Sequence, residues 1–454
     1  MFSFEAQDGP RQHLILAPVM MVSEGDRVIV VDPRSKSVSV FTRESARTLL
    51  GLDCTRWTEG DRCAAARHPE LIAFVEETMR LGIIEMGQPA NRAYDAAKIT
   101  GLLDSTTATA QRIVLNPPAL PTVNINERCR FSCLHCYNAT NSNHTPEMTS
   151  ETIRQRVLPQ LASMGCVNVM WCGGDPALTP SRTIGCTEEA SALGISAAAQ
   201  VGEFSKAFLG GFAGAGGKAI QVSLYSSASR PDIDDRFRRR RGSWTMAVRN
   251  IEEARRVGLS VFVNMVLFPE NAGELAQTAE LAYEMGASTF RTTFSVITGA
   301  ATQHRSELEF SREETERLMD EAVSLRSAFS NRMGVVTDIS ERGKLSNSPY
   351  SFCSAGMTYL HIAGGKVYPC NFMMVDAFCM GNIMEEELDQ IWRYSSAAAP
   401  FRSVAPLSPQ CVRCEKREST ELACTDCKAV MWERYGTFLN ADAPACRANP
   451  SMRK

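Results

Sequence analysis

From residue 121 to about 300 the chain alternates short apolar runs with longer amphipathic ones. TVNIN, VNVMWCGG, ISAAAQV, AIQVSLYS, VFVNMVLF and STFRTTFSV are rich in β-branched and aromatic residues, which predicts six strands. Between them, TSETIRQRVLPQLASMG, SWTMAVRNIEEARRVG and NAGELAQTAELAYEMG read as helices. Repeated βα units predict a parallel sheet or a barrel. Six strands fall short of the eight in a full barrel, so the expectation over 121–340 is a partial (β/α)6 TIM barrel in an α/β chain.

The segment before it has a different pattern. RVIVVDPRSKSVSVFT is two β-rich runs around a turn, which predicts a hairpin, and TRESARTLLGL predicts a short helix with a Thr start signal. In HPELIAFVEETMRLGIIEMG the residues Leu71, Ile72, Phe74, Val75, Met79 and Leu81 recur at helical spacing. A hairpin followed by helices suggests a winged-helix-like domain over 1–88. Residues 89–120 carry no strong period and hold Pro117 and Pro118, so they are expected to be a linker. Beyond about residue 340 the alternation stops, and a cysteine-rich domain is expected over 341–454.

Composition narrows the function classes. The 454 residues are 44% hydrophobic and 22% charged, enough apolar material for a sizeable core. A net charge of −3 supplies no basic field, so nucleic acid is not an expected partner. No run of eighteen apolar residues predicts a membrane span, and no secretory signal is recognised, so a cytoplasmic protein is expected. In such a compartment, clustered cysteines point to metal ligands before disulfides. Of sixteen cysteines, three lie at 129–136 and eight between Cys353 and Cys446. Cys54, Cys63, Cys166, Cys172 and Cys186 are scattered and read as small hydrophobes.

The first row, NINERCRFSCLHCYNAT, sets Cys129, Cys133 and Cys136 as C-x3-C-x2-C. A disulfide would leave one thiol over. A structural zinc site wants four ligands, and the nearby histidines are His135, inside the row, and His144. A [4Fe–4S] cluster held by three thiolates leaves one iron open to another ligand. The row follows a predicted strand, on the edge of a barrel where active sites sit. C-x3-C-x2-C with CLHCY, followed by WCGGDP at 171–176, resembles the radical S-adenosylmethionine (SAM) superfamily. The resemblance implies a SAM-binding [4Fe–4S] cluster on Cys129, Cys133 and Cys136. It also implies reductive cleavage of SAM, with a 5′-deoxyadenosyl radical taking hydrogen from substrate. Gly173, Gly174 and Asp175 are then expected around the methionine amino group, Asp175 standing where that family usually has Glu. Ser223, Asn264 and Arg291, at strand ends, are expected around the rest of SAM.

The tail places Cys353, Gly365 and Cys370 before GNI…L…IW, then Cys411, Cys414, Cys424, Cys427 and Cys446. This resembles the SPASM extension of radical SAM enzymes, which implies two auxiliary [4Fe–4S] clusters, three clusters in all. The middle run is C-x2-C-x9-C-x2-C instead of C-x2-C-x5-C-x3-C, and taken alone it would also suit zinc. In the order of the resemblance, Cys353, Cys370 and Cys427 hold the first auxiliary cluster, with Cys379 as candidate fourth ligand. Cys411, Cys414, Cys424 and Cys446 hold the second. The N-terminal unit resembles the peptide-recognition element of ribosomal-peptide (RiPP) maturases. The expectation is therefore a radical SAM maturase that installs a thioether or carbon–carbon crosslink in a precursor peptide with a leader. A flavodoxin or ferredoxin would be its electron donor. Epimerisation or formylglycine-type oxidation of a peptide is the alternative chemistry, and a zinc- and peptide-binding protein without catalysis is the alternative class. Three further motifs receive plainer readings. GGFAGAGGKA (210–219) lacks the spacing of a phosphate loop and reads as a flexible loop, the RFRRRRG run (236–242) as a solvated loop, and Tyr137 as packing.

Overall fold

The structure is a computed structural model and describes residues 13–24, 26–32, 37–53, 69–87, 95–105, 113–138, 146–337, 353–402 and 427–436. It divides into two compact units, residues 1–119 with 164–167, and the remainder of the chain.

In the first unit the expected hairpin is present. β3 (Arg27–Asp32) pairs antiparallel with β4 (Ser37–Thr42), and both belong to a four-stranded sheet with β2 (Met20–Glu24) and β6 (Ile113–Val114), in the order β4-β3-β2-β6. A separate antiparallel pair joins β1 (His13–Leu16) to β5 (Ile84–Gly87). Helix Arg43–Gly51 starts where the Thr42 hydroxyl accepts from the Ser45 N–H at 3.1 Å, as the start signal predicted. Helix Pro69–Arg80 buries Val75 in the same core as Leu14, Val28, Val30, Leu49 and Leu103. The expected linker over 89–120 is not one. It contributes helix Ala96–Ser105, which buries Ile99 and Leu103, and strand β6. Ten helical residues were too few to stand out as periodic beside the prolines that follow.

The second unit holds a ten-stranded sheet. Its parallel strands run from β7 (Leu120–Asn126) through β8 (Asn168–Gly173), β9 (Ser196–Val201), β10 (Ala219–Ser223), β11 (Ser260–Leu267) and β12 (Thr289–Phe294) to β13 (Gly334–Thr337). The six expected strands are all there, and β13, a four-residue stretch, is a seventh. On the other side of β7 the cysteine-rich region adds β14 (Tyr359–Ala363), parallel to it, then β15 (Lys366–Tyr368) and β16 (Gly381–Asn382), both antiparallel. The sheet therefore continues from the partial barrel into the tail. β7 is buried at every position but its first, as befits a strand covered on both faces. Helices Pro180–Ala192, Lys206–Gly214, Ser243–Arg256, Leu275–Glu284 and Arg312–Ala328 fall between the strands. Part of the glycine-rich decoy is helical: Lys206–Gly214 ends at Ala215, and only the residues up to β10 form a turn. Among the described residues no helix is long and apolar enough to cross a membrane.

One buried amide secures the mouth of this sheet. Asn271 donates to the carbonyls of Tyr225 (3.1 Å) and Val266 (3.0 Å) and accepts from the Phe268 N–H at 2.9 Å. Asn271→Ala strands three buried backbone groups and is expected to cost about 2 kcal/mol, read as a lowered thermal-unfolding midpoint.

Candidate active site

The loops leaving β7, β8, β9 and β10 meet at the carboxyl edge of the parallel strands, where such sheets bind their ligands. The loop after β7 carries the cysteine row. It is held by backbone bonds from elsewhere: Ser132 and Leu134 donate to the Arg238 and Phe237 carbonyls at 3.2 and 3.0 Å, and Ala301 donates to the Cys136 carbonyl at 3.2 Å. Within it, Cys136 N–H bonds the Cys133 carbonyl at 3.2 Å, which curls the row so that all three thiols face one pocket of about 110 Å³.

The expected glycines act on that loop. Gly174 N–H donates to the Asn126 carbonyl at 2.9 Å, and Asp175 N–H to the Arg128 carbonyl at 2.8 Å. A Cβ on Gly173, whose φ is +112°, would stand 2.1 Å from the Asn126 oxygen, and one on Gly174 would stand 2.0 Å from the Arg128 oxygen. The close approach that demands glycine is thus to the chain's own backbone, one residue before Cys129. Asp175 is buried and its carboxylate is occupied: Oδ1 accepts from Ala177 N–H (3.1 Å), and Oδ2 from Gly202 (3.2 Å) and Glu203 (2.6 Å). Burial pushes it up to about 6, against those three donors. It ties the β8 end to the β9 end and also lines the pocket.

Ser223, at the end of β10, lines the pocket. Asn264 and Arg291 do not. They stand level with Ser223 in the register across β11 and β12, and the Arg291 charge is felt at Tyr359. Arg238, expected in a solvated loop, is buried and lines the pocket instead. It follows helix Pro231–Phe237, pairs with the fully buried Asp234 at 3.2 Å, donates to the Ser223 carbonyl, and lies over the Phe131 and Tyr225 rings at 5.3 and 5.1 Å. Arg240 pairs with Glu203 and donates to the Arg130 carbonyl at 3.1 Å. Between them Arg239 takes a φ of +52°. The basic run is therefore a brace on the cysteine loop. The signal in the sequence is Asp234, four residues before Arg238.

Burial pushes the Cys129 thiol up to about 11 and Cys133 higher still, while the Arg238 charge pulls both the other way. A cation bound to the thiols would favour their ionised form. His135 stacks on Phe237 (4.7 Å, 13°) and shares a hydrogen bond with the Tyr225 hydroxyl through Nε2 at 3.1 Å; burial holds it neutral, down to about 3. Its Nδ1 is buried with no hydrogen-bond partner, whereas the Arg238 Nε faces Asp234 Oδ1 at 3.2 Å. Three thiols on one wall, with a buried guanidinium beside them, form a donor set that suits an iron–sulfur cluster with an anionic co-ligand.

A second cavity, of about 350 Å³, adjoins this one and shares Tyr137 and Asn138 with it. It runs from Asn124 and Glu127 at the end of β7 to Phe372, Met373, Ala429 and Trp432 in the tail. Cys353, Cys370 and Cys427 pack together around Ala355, Met373, Phe378, Phe401 and Ala429. Cys370 is held well above the usual thiol range by burial and then by its two neighbours. Cys379 is not in that group; its thiol donates to the Gly381 carbonyl at 3.5 Å, against Tyr368 and Lys366. Cys411, Cys414, Cys424 and Cys446 lie outside the described residues. Tyr137 packs its ring edge-on against Phe372 at 5.2 Å, so the packing expected of it spans the two cavities.

Gly174→Ala is expected to push the β8 end off the cysteine loop. The measurement is thiol accessibility: Cys129, Cys133 and Cys136 in the cluster-free protein should react several-fold faster with a thiol reagent than in the unaltered chain.

Comparison with known proteins agrees with this geometry. The family model described as Radical SAM superfamily matches residues 123–282, and the SPASM iron–sulfur cluster-binding domain matches 353–428. The AdoMet-dependent heme synthase of Methanosarcina barkeri is 23% identical over 360 residues, 74% of this chain and 99% of that protein. The PqqA peptide cyclase of Rhizobium meliloti is 24% identical over 351 residues, 76% of this chain and 90% of that one. Among solved structures, SuiB of Streptococcus suis bound to precursor peptide SuiA superposes with a TM-score of 0.58 at 13% identity, covering 92% of this chain and 97% of the other. That likeness carries the fold. With its thiol row and strand-end glycines in place, the chain carries a radical SAM domain over 123–282 and a SPASM domain over 353–428, and is an enzyme that uses SAM and [4Fe–4S] clusters.

Proposed function

We propose that the chain is a peptide maturase that installs an intramolecular thioether or carbon–carbon crosslink in a ribosomally made precursor peptide. The observation that carries this is the second cavity. It opens beside the thiol pocket, shares Tyr137 and Asn138 with it, and borders the packed group of Cys353, Cys370 and Cys427. The PqqA peptide cyclase and the SuiB–SuiA complex supply the same reading by likeness. The heme synthase relative is named for heme and not for a peptide. The first unit, 1–119, favours the peptide, because a small sheet with an open edge suits an extended chain.

Cys129, Cys133 and Cys136 would hold the SAM-binding cluster. When bound, the reduced cluster and SAM supply hydrogen-atom abstraction from unactivated carbon. The chain's own residues position that chemistry. Arg238, beside Ser223, would offer its buried charge to the anionic end of the cofactor. Asp175 fixes the Gly202–Glu203 backbone by its two hydrogen bonds there, and the Gly174 contact fixes the cysteine loop. Tyr137, which lines both cavities, packs against Phe372 and would help keep water from the reacting atoms. Cys353, Cys370 and Cys427 would hold an auxiliary cluster able to take the electron that closing a new bond releases. Cys411, Cys414, Cys424 and Cys446 would hold the other. A flavodoxin or ferredoxin would reduce the SAM-binding cluster.

The leader would add to β4, an edge strand whose Val40 is 57% exposed. Val40→Asp on this edge should weaken leader binding about tenfold, a loss of about 1.4 kcal/mol, by fluorescence anisotropy with a labelled precursor encoded beside the gene. Reductive SAM cleavage should survive it. Replacing Cys129, Cys133 and Cys136 together with Ala should abolish 5′-deoxyadenosine formation in an anaerobically reconstituted preparation. Turnover that persists would remove those thiols from the site.

A further inference from the structure

Glu127 stands two residues before the first cysteine, and its carboxylate lines the second cavity. Only 9% of the residue is exposed. Asn124 donates to Oε1 at 2.8 Å and Asn138 to Oε2 at 3.1 Å, so both oxygens are held by neutral amides. Among the described residues no Lys, Arg or His forms an ion pair with it; the lysine on the cavity wall, Lys366, is already paired with Asp376 at 2.9 Å. Neutral donors orient a carboxylate but do not cancel its charge, and a buried charge with no opposite partner is unfavourable. The rest of the wall includes Tyr137, Phe372 and Trp432, which suit an alkyl stem and a cation seated against aromatic rings.

We propose that this cavity takes a lysine or arginine side chain of the peptide substrate, with its ammonium or guanidinium group on Glu127. The inference rests on the reading of the chain as a peptide maturase. Because the cavity shares Tyr137 and Asn138 with the thiol pocket, the seated side chain registers the peptide so that a neighbouring position faces the cofactor. Glu127 is thus a specificity-determining residue.

The test uses the reconstituted holoenzyme with SAM and three acetylated, amidated tripeptides, Gly-Lys-Gly, Gly-Arg-Gly and Gly-norleucine-Gly, with affinities from saturation-transfer NMR. The lysine or arginine peptide is expected to bind at least about tenfold more tightly than the norleucine peptide, and Glu127→Gln is expected to erase that difference. The two cationic peptides distinguish the ammonium from the guanidinium. Equal binding of the cationic and norleucine peptides overturns the proposal, and so does a preference that survives Glu127→Gln. SAM affinity is measured alongside; a loss confined to SAM in Glu127→Gln would assign the carboxylate to the cofactor and overturn the proposal as well. The peptide comparison on the unaltered enzyme remains decisive should the variant not fold. A holoenzyme that cleaves SAM yet shows no preference fails the cation site alone, whereas one that never cleaves SAM fails the maturase reading.

Discussion

Two backbone hydrogen bonds, Gly174 N–H to the Asn126 carbonyl and Asp175 N–H to the Arg128 carbonyl, decide where the cysteine row sits. They join the end of β8 to the chain just before Cys129, at a separation that admits no side chain on either glycine. Three thiols on a free loop would sample many arrangements, and gathering them onto one cluster would cost the entropy of ordering that loop. Here folding brings all three to the lining of one pocket. The contact is made by backbone alone, so it depends on the absence of a Cβ more than on any particular functional side chain.

Around that contact the charges are arranged from inside. Arg238 is buried on a buried partner, Asp234, whose other carboxylate contacts are the Tyr225 N–H and the Ser243 hydroxyl. Such a pair contributes little net stability, because desolvation offsets most of its attraction, yet removing one partner is costly. Its use is positional: it keeps a guanidinium, which holds its charge at any relevant pH, next to the thiols and against two aromatic faces. At the same helix end the Phe237 and Arg238 carbonyls accept hydrogen bonds from Leu134 and Ser132 of the cysteine loop. One short stretch thus supplies both the loop's anchors and the pocket's positive charge.

The continuation of the sheet through β14 to β16 gives the molecule its second feature. β14 pairs directly with β7, the strand that leads to the first thiols, and lies between Cys353 and Cys370 in the chain. The cavity between the two thiol groups has walls from both regions, with Tyr137 against Phe372 at its waist. The proposed reaction, which would begin by taking a hydrogen atom and end by removing an electron, would gain from such an arrangement, since both events would occur around one held substrate.

The sequence by itself determined what depends on local pattern. Six strands and the main helices follow from apolar spacing, and the cysteine row and the WCGGDP glycines from their motifs, because propensity and spacing act over a few residues. The tertiary structure alone decided the rest. The four residues of β13 and the strands of the tail were too short to show a period and exist through pairing with distant partners. Arg238 and Arg240 looked like solvated charge until Asp234, Glu203 and the Phe131 ring were brought to them. Glu127 was unremarked beside the cysteines until Asn124, Asn138 and the cavity surrounded it. Asn264 and Arg291 met the strand-end rule and still fell outside the thiol pocket. Burial and charge pairing are set by residues far apart in the chain, so they become visible only when the fold closes.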